Sequence, residues 1–99
     1  MKLYKISQDA NRDYDTFDSA VVVAESASKA KLMHPDGYSK WDAYAELFYK
    51  LLGPDKEKRY NSTLDDDWTT PDKVTAELIG EAASRFKRAR VIVSSYNAG

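Results

Sequence analysis

Ninety-nine residues, of which 42% are hydrophobic, 12% aromatic and 31% charged, suffice for one folded domain with a single core and argue against a disordered chain. Fifteen basic and 16 acidic residues leave a formal charge of −1, which suits neither a DNA-coating protein nor a strongly acidic mimic of nucleic acid. The lack of cysteine excludes disulfides, thiolate nucleophiles and cysteine-held zinc, and a single histidine excludes a multi-histidine metal site within one chain. No cofactor is expected. No apolar run approaches the roughly 20 residues that span a bilayer. The opening MKLYKISQD lacks the apolar region of a signal peptide, so a cytoplasmic location is expected.

Residues 3–7 alternate, with Tyr4 and Ile6 on one face and Leu3 and Lys5 on the other, which predicts a strand. Residues 8–18 turn polar, with Asp9, Asp13, Asp15 and Asp18, and read as a loop anchored by Tyr14 and Phe17. Val21, Val22 and Val23 follow in succession, predicting a central strand covered on both sides. Ser26 then caps a short helix with Ala27, Ala30 and Met33 on one side, ended by Pro35, and Asp36-Gly37 makes a turn.

Residues 40–52 carry Trp41, Tyr44, Ala45, Phe48, Leu51 and Leu52 at intervals of three and four. This spacing predicts an amphipathic helix, capped by Ser39 and closed by Gly53-Pro54. A charged tract and a loop follow as far as residue 67. Residues 74–82 fit either a strand or a helix capped by Thr70, and Gly80 costs a helix interior roughly 1 kcal/mol. RVIVSSY, residues 90–96, reads as a strand lying beside the valine strand. With 74–82 taken as a strand, the expected fold is α+β in the order β-β-α-α-β-β. Two helices would lie on one face of a four-stranded antiparallel or mixed sheet, with 39–67 as a helix-loop insertion in one domain spanning 1–99.

Few residues suggest chemistry. Asp9, Asn11, Asp13 and Asp15 start like a calcium loop, but Tyr14 stands where the turn needs glycine and Ala20 where the bidentate glutamate belongs. A solvated loop, or a contact surface for a basic partner, fits better. Asp65, Asp66 and Asp67 come without a glycine-rich phosphate loop and read as surface. His34 is expected at a helix C-terminus, where the dipole favours a cation. Ser94 and Ser95 lack a nucleophile elbow, and only His34 could serve as their base, so an enzyme is not expected. Arg85, Lys87, Arg88 and Arg90, interrupted by Phe86, combine phosphate-binding charge with one stacking ring. Tyr14, Tyr38, Tyr49 and Tyr60 fall outside the expected core stripes and suit a protein contact surface.

LYKISQ, NRDYDTFDSAVVVAESASKAKLMHP, the stretch from Trp68 through KVTAELIGEA, and the terminal VIVSSYNAG together resemble a group of small uncharacterised bacteriophage and prophage proteins. The likeness covers roughly residues 3–35 and 68–99, and 39–67 reads as an enlargement of a shorter connection. It implies a strand for VTAELIGEA and brings no catalytic motif. The expectation that follows is a non-enzymatic accessory protein, monomer or homodimer, that binds a host or phage protein. Inhibition of a host defence or metabolic enzyme is one form such binding would take. The expected contact residues are Asp13, Tyr14, Asp15 and Phe17 of the acidic loop, with Tyr49 and Tyr60 of the insertion. The alternative is a nucleic-acid or nucleotide-binding module that uses Arg85, Phe86, Lys87, Arg88 and Arg90.

Overall fold

The computed structural model describes residues 1–12, 15–61 and 67–97. In chain order its elements are β1 (Lys2–Ser7), β2 (Thr16–Ala24), α1 (Ala27–Ala30), β3 (Lys40–Asp42), β4 (Leu47–Leu52), β5 (Glu57–Tyr60), β6 (Thr75–Glu81) and β7 (Arg90–Asn97), with a 3₁₀ turn over Pro71–Lys73. The strands form two sheets, one of four strands in the order β6-β1-β2-β7 and one of three in the order β3-β4-β5. Every neighbouring pair is antiparallel. Among the described residues, no helix is long and apolar enough to cross a membrane.

The core lies on one face of the four-stranded sheet. Tyr4 and Ile6 of β1 and Ala20, Val22 and Ala24 of β2 point to that face at alternate positions. Ala30 of α1, Phe48 of β4, Trp68 and Val74 close over them. Val23, on the opposite face of β2, is buried too, as befits a strand with a neighbour on each side. α1 is held at its start by Ser26, whose Oγ accepts the Lys29 N–H at 3.2 Å.

This architecture corrects the expected pair of helices on a four-stranded sheet: among the described residues, one short helix accompanies seven strands in two sheets. The error lies in residues 40–52, expected as a helix and found as the β3–β4 hairpin. Asp42 ends β3 and caps a single tight turn. Its Oδ1 accepts the N–H groups of Tyr44 and Ala45 at 2.9 and 3.1 Å, and its carbonyl accepts the Glu46 N–H at 2.8 Å. Glu46 then takes a left-handed conformation, φ 56°, which reverses the chain into β4. Trp41 and Phe48 are cross-strand partners with rings 5.0 Å apart, while Tyr44 stands fully exposed in the turn. The charged tract that follows is β5. It is reached through a turn in which Gly53 and Lys56 have φ of 73° and 50° and the Lys56 N–H donates to the Gly53 carbonyl at 3.1 Å.

Candidate functional site

Register divides the β3–β5 meander into two faces. Trp41, Phe48 and Lys50 belong to the face turned to the core, of which Phe48 is buried and Trp41 packs against the core cluster. The other face carries Lys40 and Asp42 of β3, Leu47, Tyr49 and Leu51 of β4, and Lys58 and Tyr60 of β5. Tyr49 stands opposite Tyr60 with rings 5.8 Å apart, and Leu51 stands opposite Lys58. Lys58 places its ammonium 4.7 Å from the centre of the Tyr49 ring. Tyr60 donates its hydroxyl to Asp42 Oδ2 at 2.7 Å. That bond, helped by backbone N–H donors, keeps the Asp42 carboxyl below its ordinary range, and the same bond raises the Tyr60 phenol. Donor and acceptor therefore keep their protonation states at neutral pH.

The meander is fastened to the rest of the chain through His34. The expectation of a helix-terminal histidine is corrected here: α1 ends at Ala30, and the imidazole is completely buried beyond it. Phe48 meets it edge to face at 4.9 Å, and Phe17 does so at 6.0 Å. Nδ1 accepts the Asp36 N–H at 3.1 Å, and Nε2 donates to Asp67 Oδ1 at 3.1 Å. The carboxylate of Asp36 also accepts the N–H groups of Tyr38 and Ser39 at 2.9 and 2.8 Å, which fixes the loop into β3. Burial pulls the Asp67 carboxyl upward, yet the hydrogen bond from His34, with a backbone N–H and the Lys50 ammonium, outweighs it and holds it below its ordinary value. His34 is thus a structural clamp, with both ring nitrogens engaged and no surface turned to solvent.

The remaining expected site residues fall in two other places. Asp13 and Tyr14 lie outside the described residues. Asp15, at φ 62°, donates its N–H to the Asn97 carbonyl at 2.6 Å, and Phe17 packs on Tyr96 with rings 4.8 Å apart, so both sit at the end of β7. Arg85, Phe86, Lys87, Arg88 and Arg90 line one open cleft of about 440 Å³, with the guanidinium groups of Arg85 and Arg90 at 4.9 and 5.6 Å from the Phe86 ring centre. A neighbouring cleft of about 340 Å³ shares Ala89 and Arg90 with it and adds Tyr38, Lys40 and Trp41. Leu47 and Lys58 belong to the outward meander face but escape a helical reading, which puts Leu51 in the apolar stripe; the signal that finds them is the turn at Gly53-Pro54-Asp55-Lys56. Among the described residues, no three histidine or carboxylate side chains are grouped as a metal site requires.

Comparison with protein-family models, characterised proteins and solved structures returns no match for this chain.

Proposed function

We propose that this protein acts by binding another protein, and that the outward face of the β3–β5 meander makes the contact. One observation carries the reading: the strand register gathers Tyr49, Tyr60, Leu47 and Leu51 on a single face, with Lys40, Asp42 and Lys58 around them. An aromatic and aliphatic centre with a charged rim is the composition of an interface hot spot. The Asp42–Tyr60 hydrogen bond holds one of the two tyrosines in place before docking, so less side-chain entropy is lost on binding. The partner that fits has an apolar patch bordered by acidic groups, which would face Lys40 and Lys58. The resemblance to phage proteins suggests a host or phage protein in the host cytoplasm. Occupying a surface on a defence or metabolic enzyme is the mode of action that needs no catalytic group.

The test is capture from a nuclease-treated bacterial lysate with the tagged protein and with its Leu51→Ser/Tyr60→Ser variant. The wild type is expected to retain a stoichiometric protein partner, and the variant to lose it by about tenfold or more. A partner held equally by both forms contradicts the assignment.

A second reading has its own support. The two adjoining basic clefts bring Tyr38, Trp41 and Phe86 near Lys40, Arg85, Lys87, Arg88 and Arg90, a setting for phosphates and stacked bases. Loss of every partner on nuclease treatment, with salt-sensitive binding of a labelled single strand, would favour it.

A further inference from the structure

We infer that two copies of this chain pair antiparallel along the outer edge of β7, joining their main sheets into one. This contact is separate from the meander face and does not depend on it.

β7 ends its sheet, so one of its edges has no strand beside it among the described residues. Such an edge presents unpaired N–H and C=O groups, and proteins usually guard it with charge, bulges or brevity. The other edges are guarded: β6 carries Glu77, Glu81 and a bulge at Ile79, β5 carries Glu57, Lys58 and Arg59, and β3 is three residues long. β7 has a bulge only at Ile92, near its start. From Val91 to Asn97 it has no charged residue, and Ile92, Val93 and Tyr96 are 42, 58 and 47% exposed.

Charge selects the occupant. The start of β7 is basic, with Arg85, Lys87, Arg88 and Arg90 in one cleft. The end is acidic: Asp15 is bonded to Asn97, and Asp18 lies in a cleft with Ser95, Tyr96 and Asn97. Asp67 lies near this end too, its carbonyl accepting the N–H of Phe17, whose ring packs on Tyr96. Arg12 shares the acidic end but sits 3.9 Å from Asp9, and Glu25, just past Val23 at the basic end, is held by Lys29 at 2.7 Å. An antiparallel partner copy sets basic start against acidic end twice, once on each side of the two-fold axis, whereas a parallel one would set like against like. With the axis at or just after Val93, each Arg90 comes opposite Tyr96 or Asn97 at the far end of the other β7. The contact uses the same surface on both copies and so closes at two.

Sedimentation equilibrium of the full chain tests this. At low salt the wild type is expected to have twice the monomer mass, with association weakening as salt rises. Val93→Lys should give a monomer. Arg90→Glu should weaken association by about tenfold or more, and the double change Arg90→Glu/Asp18→Arg should recover it. Circular dichroism confirms that each variant is folded, and the charge pair decides the matter if Val93→Lys is not. A wild type that stays monomeric at every concentration, a dimer indifferent to these changes, or growth beyond two copies overturns the inference.

Discussion

β2 and β4 are both rich in apolar residues, and the fold uses them in opposite ways. β2 lies between two strands, and Val22 on its core face and Val23 on the other are both completely buried, with Val21 half-buried. β4 also lies between two strands, but those strands are short and only one face meets the core. Phe48 is buried, while Leu51 on the other face is left 46% exposed. Hydrophobicity alone therefore does not decide burial; the neighbours on each face decide it. In one strand apolar side chains supply stability, and in the other they supply a surface.

The comparison breaks most severely at the single residue where β4 behaves like β2. Phe48→Ala should cost about 3–5 kcal/mol, because an aromatic ring is removed from between His34 and Trp41 and the meander loses its anchor. Chemical denaturation would show it as a lower midpoint. His34→Ala comes next, at about 2–3 kcal/mol, since it leaves the Asp67 and Asp36 contacts unmade in a closed site. A smaller effect is expected from acid. Asp67 has a folded value below its unfolded 3.8, so its contribution is complete above that value and disappears as the pH falls through the lower, folded one. Asp67→Asn should flatten the acid limb of the stability profile and leave neutral pH less affected; an unchanged limb would remove Asp67 from the clamp. Smallest of all, Leu51→Ser should alter stability by no more than about 0.5 kcal/mol while reducing partner capture. A large loss of stability there would mean that Leu51 belongs to the core after all.

The same contrast explains what the sequence makes legible. The valine run identifies a strand that has a neighbour at each edge because three β-branched residues in succession suit a pleated surface, although Val21 is left half-buried. Residues 40–52 mislead because a hairpin with a four-residue turn pairs Trp41 with Phe48, seven positions apart, which is also two turns of a helix. Helical spacing and cross-strand pairing coincide at that distance. Asp42 ahead of the turn and the glycine-proline turn after β4 are the residues that separate the two readings. His34 is opaque for a different reason: its partner Asp67 lies far along the chain, and no local pattern announces a clamp between distant segments. The tyrosines of the meander were legible as surface, yet their meeting on one face depends on a register that only the strands set.

The division between a core sheet and a contact sheet is tested most directly by amide hydrogen exchange of the intact protein at neutral pH. Amides of Tyr4, Ile6 and Val22 should exchange only through global unfolding, and those of Lys50, Leu52 and Arg59, which lie in the β4–β5 ladder, about a hundredfold faster or more, through local opening of the meander. Equal protection across both sheets would contradict the account, for it would make the meander part of the core and not a surface carried by it.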